Sequence, residues 1–193
     1  MHPDPAASTS TRTPPAWQRT WETHLRPHDH DVISTLLAHS YASSATVFTP
    51  GHSWAGARPE LRVLGHVRDE IVAHAGVIRR FLRSPAGAQL VGDVGLVAVH
   101  PGHQGEGLGA ALMAEVRRAL VELAVPHGFL TCAPELRPFY ERSGWVALAD
   151  TDLCSIGIDH RLEHDRRNGM VLPVLAPLDE WPAGPLERNG QEI

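Results

Sequence analysis

The chain predicts an α+β fold built on one mixed sheet. Three observations carry this. Short apolar runs bounded by turn residues recur through the first hundred positions, the pattern of a strand meander. One long run then switches to an apolar spacing of three to four residues, the pattern of an amphipathic helix. Strands and helices alternate after that, which layers helices against the same sheet.

The elements follow in order. Residues 1–16 are rich in Pro, Ser, Thr and Ala without periodicity and read as a flexible tail, leaving residues 17–193 as one domain. Residues 17–25 alternate loosely and suit a first strand. Asp29 or Asp31 is placed to cap a helix running to about Tyr41, with Val32, Ile33, Leu36 and Leu37 on one face. Residues 43–59 combine turn formers and aromatics and read as an irregular binding loop. Strands are expected over 61–67 and 71–82, joined by the turn Arg68-Asp69-Glu70, and over 90–99, ending at His100-Pro101 because proline cannot continue a ladder. Residues 108–124 form the clearest helix, with Leu108, Leu112, Val116, Leu120 and Leu123 on one stripe. A short strand at 129–132, a short helix at 135–143 closed by Gly144, and strands at 145–153 and 170–175 complete the sheet. The polar stretch 160–169 reads as a surface loop.

The 193 residues are 42% hydrophobic and 20% charged, as in ordinary globular chains. The formal net charge of −5 argues against a nucleic-acid binder, which carries a dense basic face. No apolar run approaches the roughly 18 residues of a membrane span, and the N-terminus lacks a signal-peptide pattern. Two separated cysteines, Cys132 and Cys154, fit reduced thiols in a cytoplasmic protein. The histidine pairs His28/His30 and His160/His164 lack a third ligand, so no metal is expected.

Chemistry concentrates at the strand-to-helix junction 97–116. Gly105, Gly107 and Gly109 sit where strand gives way to helix, preceded by Gln104 and interleaved with Leu108. Glycines let backbone N–H groups approach a ligand, and a helix N-terminus presents unpaired donors at a positive dipole end. The pattern suits a phosphate or pyrophosphate, although a glycine-rich turn that merely caps a helix reads the same. It is neither a Walker loop nor a dinucleotide fingerprint, for its spacing differs and no Lys-Ser/Thr follows.

Gln104-x-x-Gly107-x-Gly109 before a long helix, followed by Phe139-Tyr140-Glu141-Arg142-Ser143-Gly144, resembles the core motifs of the GNAT acetyltransferase superfamily. The resemblance implies a GNAT-like mixed, mostly antiparallel sheet with splayed central strands flanked by helices. It implies a pantetheine arm lying along Val97 and Val99, and a pyrophosphate on Gln104, Gly105, Gly107, Leu108 and Gly109. A closer resemblance covers residues 21–193. Trp21-Glu22, the block from Ser53 through Trp54 and Arg58 to Glu60 and Arg62, Val72-Ala73-His74, Arg79-Arg80-Phe81, Glu106 to Gly109, Glu180-Trp181-Pro182 and Arg188-Asn189-Gly190 are similar to the rhizobial nodulation acyltransferase family NodA. That family moves a fatty acyl group from an acyl carrier protein to the free amine of a partly deacetylated chitooligosaccharide. A weaker likeness is to aminoglycoside 2′-N-acetyltransferases, which use acetyl-CoA. The Phe139 to Gly144 stretch looks more like a general acetyltransferase than the nodulation enzyme.

Direct acyl transfer needs a base for the amine proton, donors for the oxyanion and an acid for the leaving thiolate. Tyr140 lies where the superfamily places that acid; the alternative is a packed aromatic. Asp93, on the face of Gly95, Val97 and Val99 by alternation, is a candidate base or a solubilising charge. His74 is a candidate base or a satisfied core histidine. Trp54, Arg58 and Glu60 are candidate acceptor contacts or loop packing. Arg80 and Arg83 either dock an acidic carrier protein or form a solvated face. Glu180 and Trp181 either close over the acceptor or anchor the C-terminal segment. Cys132 as an acyl-enzyme nucleophile is set below direct transfer. Three functions remain: N-acylation of an amino sugar, acetylation of a small amine, and a silent acyl-CoA-binding domain.

Overall fold

The computed structural model describes residues 14–148, 152–157, 159–165 and 169–193. Most of the tail predicted over 1–16 lies outside these residues. Among the described residues ten strands form one sheet: β1 (Ala16–Trp21), β2 (Leu61–Val67), β3 (Glu70–Ser84), β4 (Gly87–Val99), β5 (His127–Thr131), β6 (Val146–Ala147), β7 (Leu153–Ile156), β8 (Leu162–Asp165), β9 (Gly169–Pro173) and β10 (Leu186–Arg188). Its main path runs β6-β9-β5-β4-β3-β10-β7-β8, and β2, with β1 beyond it, pairs the first half of β3. Only β4/β5 and β7/β10 are parallel. The expected mixed, mostly antiparallel sheet is what forms.

Helix α1 (Pro27–Ser40) covers one face and α2 (Leu108–Glu122) the other. Alternation along the strands makes this possible: Val63, Ala73, Ala75 and Val94 join Leu112, Val116 and Leu120 of α2, while Leu64, Leu96 and Ala98 join Ile33, Leu36 and Leu37 of α1. The start of α1 differs from expectation. It begins at Pro27, whose fixed φ suits the first helical position, and Asp29 closes the cap by accepting from the Arg26 N–H at 2.8 Å. Asp31 instead accepts from the Gly51 N–H at 2.7 Å and ties the following loop down.

The polar stretch 160–169 is not simply a loop. Leu162–Asp165 forms β8, an edge strand whose partner face is β7 and whose outer face is wet. The strand expected over 145–153 holds only Val146–Ala147 before the gap in the described residues. The helix expected over 135–143 is a 3-10 turn, Pro134–Leu136, running into α3 (Arg137–Glu141).

Candidate active site

The sheet opens at its centre. β4 and β5 pair at Val91/His127, Gly92/Gly128 and Asp93/Phe129, and then part. Beyond Asp93, β4 stays on β3 as far as Val99, whereas β5 stays on β9 as far as Thr131. The two strands therefore diverge as a V with unpaired backbone along one inner edge.

A bulge shapes that edge. Gly95 pairs with Gly76 and Ala98 with His74, so Leu96 and Val97 stand opposite Ala75 alone. Leu96 takes φ +53°, the left-handed region. The His100 N–H donates to the Val72 carbonyl at 2.8 Å. By ladder alternation, the peptide groups of Val99 then face the open side. The Gln104 side-chain amide donates to the Val99 carbonyl at 3.3 Å, and the Tyr41 hydroxyl to the Val97 carbonyl at 3.0 Å.

The same bulge corrects the placement of Asp93. Strict alternation puts Asp93 with Val97 and Val99, but the extra residue flips the parity. Val97 and Val99 pack toward the α2 side. Asp93 points the other way and is fully buried, with Arg188 Nε at 3.1 Å and Arg80 Nε at 3.2 Å from Oδ2. Burial raises its pKa while the two arginines oppose that rise. It does not line the cleft and is no free base. Arg80 is accordingly tied inward, donating also to the Gln191 carbonyl at 2.7 Å, and offers no surface to a carrier protein. Arg83 is exposed but sits at the far end of β3, paired with Glu187 at 2.8 Å.

His74 is a strut rather than a base. It is fully buried; its Nδ1 meets the Leu96 carbonyl at 2.7 Å and its Nε2 meets Arg62 Nη1 at 3.1 Å. A carbonyl only accepts and an arginine only donates, so the ring is neutral with the proton on Nδ1. Burial lowers its pKa to about 3, and the Arg62 charge adds to this. Arg62 is in turn paired with Glu22 at 2.6 Å. Burial alone raises the Glu22 pKa, but Arg62 and Arg58 outweigh it and hold the carboxylate below its ordinary range. Arg58 joins Glu22 at 2.6 Å and lies 4.5 Å from the Trp54 ring centroid. Trp54 also meets His52 and His30 edge-on. Trp54 and Arg58 thus pack the loop against Glu22 while staying partly exposed, and Glu60 pairs with Arg79 at the surface. Trp181 stacks on Phe129, centroids 6.0 Å apart, and borders a surface pocket with Val146 and Leu178.

The phosphate-type loop is open. Gly105 (φ +76°) and Gly107 (φ +81°) lie in the left-handed region with no atom within 4 Å of where a Cβ would stand. Gly107 is the N-cap of α2. Gly109 has a packing role as well: a Cβ there would meet Phe139 at 2.8 Å. The Leu108 side chain is buried in the core, so only its backbone is available. Residues 100–109 contain no arginine or lysine and one carboxylate, Glu106, beside His103 at 3.3 Å.

Where the V opens, a cavity of about 390 Å³ lies between β4, α3 and residues 191–193. Tyr41, Leu96, Val97, Thr131, Tyr140 and Glu192 line it. Burial raises the Tyr140 pKa, and the neighbouring Tyr41 and Cys132 add to the rise. Burial likewise raises Tyr41, with Glu192 contributing. Both hydroxyls therefore keep their protons at neutral pH. Burial also pushes the Cys132 thiol up, which disfavours the thiolate a nucleophile needs. Glu192, Tyr41 and Thr131 were not singled out by sequence reasoning. The only signal for Glu192 is its place just after the Arg188-Asn189-Gly190 block.

Residues 12–193 match the family described as Nodulation protein A (NodA). The chain belongs to the NodA family. It is an N-acyltransferase. The Nodulation protein A of Rhizobium tropici is 34% identical over 192 residues, covering 92% of this chain and 97% of the relative. That of Bradyrhizobium sp. (strain NC92) is 37% identical over 206 residues, covering 97% and 96%. Among solved structures, this NodA-family chain is similar to the Escherichia coli GNAT family N-acetyltransferase YhbS in complex with CoA. The TM-score is 0.64 at 18% identity, covering 97% of this chain and 93% of that one. A Brucella melitensis GNAT family acetyltransferase in complex with acetyl-CoA gives 0.55 at 16% identity, covering 89% and 94%. These likenesses establish the GNAT fold. Among the described residues no cluster of three metal-ligating side chains occurs, and no helix is long and apolar enough to cross a membrane.

Proposed function

We propose that this NodA-family protein transfers a fatty acyl group from a pantetheine thioester to the free amine of an amino sugar of the chitooligosaccharide type. The observation that carries the reading is the V between β4 and β5, which runs from the open glycine loop to a polar-floored cavity. Val97 and Val99 present backbone to the pantetheine arm. Gln104, Gly105, Gly107, the Leu108 N–H and Gly109 form the phosphate cradle at the positive end of α2. A backbone N–H at the bulge faces the developing oxyanion. Tyr140, protonated and at the cavity wall, gives its proton to the leaving sulfur.

Two features support a carrier-linked fatty acyl donor over acetyl-coenzyme A. The cradle supplies dipoles but no cation, which suits one phosphodiester better than the several phosphates of coenzyme A. The cavity also has apolar walls at Phe48, Ala55, Leu96 and Ile156. Its modest volume favours the second reading, acetylation of an aminoglycoside or other small amine, because about 390 Å³ is at the low end of small-molecule sites, roughly 300–1,000 Å³. A thioester donor of either kind places the reaction in the cytoplasm.

Mass spectrometry of a reaction matrix separates them. Acetyl-CoA, a long-chain acyl-CoA and a long-chain acyl carrier protein are each offered to a deacetylated chitooligosaccharide and an aminoglycoside. A long-chain amide on the oligosaccharide is the expected product. Acetylation confined to the aminoglycoside would replace it with the second reading. Binding of donor without any amide would leave the silent domain.

A further inference from the structure

Asp93 and His74, the two bases that spacing suggests, are both consumed by structure, so the amine proton needs another acceptor. We propose that Glu192 is the general base of the reaction. This rests on the acyl-transfer reading above and names the group that reading lacks. The carboxylate lines the cavity together with Tyr140 and the bulge residues Gly95, Leu96 and Val97. It is held at one oxygen only. Oε1 accepts from the Thr131 hydroxyl on the β5 wall and lies 3.8 Å from Arg188 Nη1. Oε2 has no hydrogen-bond partner among the described residues. The backbone is fixed as well, since the Glu192 carbonyl accepts from the Ala57 N–H at 2.7 Å. A carboxylate oriented by one oxygen and open at the other is the geometry a base requires.

The surroundings fit that task. The side chain is more than half exposed. Burial of the remainder raises its pKa, and Asp93 on β4 with Asp165 and Glu163 on β8 raises it further; Arg188 on β10 opposes them. Tyr41 and Tyr140 face the same space as neutral hydroxyls. A glutamate above its ordinary pKa is a stronger base.

The proton balance is simple. Glu192 Oε2 takes one proton from the acceptor ammonium, leaving a neutral amine. The amine nitrogen attacks the thioester carbon, the C–N bond forms and the charge moves to the carbonyl oxygen. The C–S bond then breaks, and the sulfur takes the Tyr140 proton. The second nitrogen proton returns to Tyr140 through solvent. Glu192 releases its proton to water, so one proton leaves per amide formed.

The test is the pH profile of kcat/KM for the full chain and for Glu192→Gln and Glu192→Asp. The Gln variant is expected to lose about 100-fold or more in kcat at pH 7, the lower end of what general-base catalysis supplies. Its donor affinity, read by binding of a non-hydrolysable acyl-pantetheine thioether, stays within twofold. The acid limb set by Glu192 is replaced in the variant by a climb at higher pH, where the acceptor ammonium deprotonates by itself. The Asp variant keeps the acid limb at reduced rate. An active wild type whose acid limb survives unchanged in Glu192→Gln overturns the base assignment and leaves acyl transfer standing. A wild type that binds the thioether but acylates no amine overturns acyl transfer, and the base assignment with it.

Discussion

The closed and open sides of the β4/β5 junction hold carboxylates under opposite conditions. On the closed side, where β4 and β5 still pair, Asp93 is sealed between Arg80 and Arg188. On the open side, Glu192 hangs from the Thr131 hydroxyl with one oxygen free in a cavity. Burial raises both pKa values. The difference lies in what each oxygen can reach. Asp93 has spent its charge on holding strands β3, β4 and β10 together, while Glu192 has kept half of its bonding capacity. A shifted pKa alone does not mark a catalytic group.

The sharpest break in that comparison is Asp93→Asn. It leaves Arg80 and Arg188 without the buried carboxylate they share, and breaking such a pair typically costs about 3–5 kcal/mol. Chemical denaturation is expected to show that loss while kcat of the folded fraction stays within about threefold. A selective loss of kcat at unchanged stability would return Asp93 to the mechanism. Next comes Tyr140→Phe on the open side. It is expected to lower kcat by about 100-fold with donor affinity unchanged, as removal of a general acid does. An unchanged rate would leave Tyr140 as a packed aromatic.

Smaller effects test the struts beneath the bulge. Replacing His74 with Phe leaves the Leu96 carbonyl and an Arg62 N–H unpaired in the interior, at about 1–3 kcal/mol each way the loss falls. The pH profile between 5 and 8 is expected to keep its shape in that variant, because His74 stays neutral throughout; disappearance of a limb would make it a base. Glu22 works through pH. Its folded pKa lies below its unfolded value, so its contribution is present above about 4.5 and is lost as pH falls through the folded value. Glu22→Gln should therefore flatten the acid side of the stability curve below about pH 5, measured by denaturation against pH. The smallest effect is expected at Glu60→Gln, whose exposed pair with Arg79 contributes under about 1 kcal/mol and leaves turnover unchanged.

Much of this molecule is legible in its residues. The stripe of Leu108, Leu112, Val116 and Leu120 gives α2 directly, and the glycines before it give the open left-handed turn at its start, because both signals are local. The bulge is not legible: Leu96 has no glycine or proline to announce a left-handed residue, and its conformation is imposed by β3 and His74. That single irregularity inverts the face of Asp93. The three-residue β10 and the polar β8 carry too little periodicity to read, since their pairing comes from partners far along the chain. Glu192 shares that fate. Its neighbours Thr131 and Ala57 are 61 and 135 positions away, and only the folded chain brings them together.

The most direct test of the open half as the working site is amide NMR with a long-chain acyl-pantetheine thioether. The expected result is shifts at Val97, Val99, Gly105 and Gly107, with Thr131 and Glu192 following, and none at Asp93 or Arg188. Binding that moves other surfaces and leaves Val97 and Val99 untouched would contradict the assignment of the V between β4 and β5 as the acyl-transfer cleft.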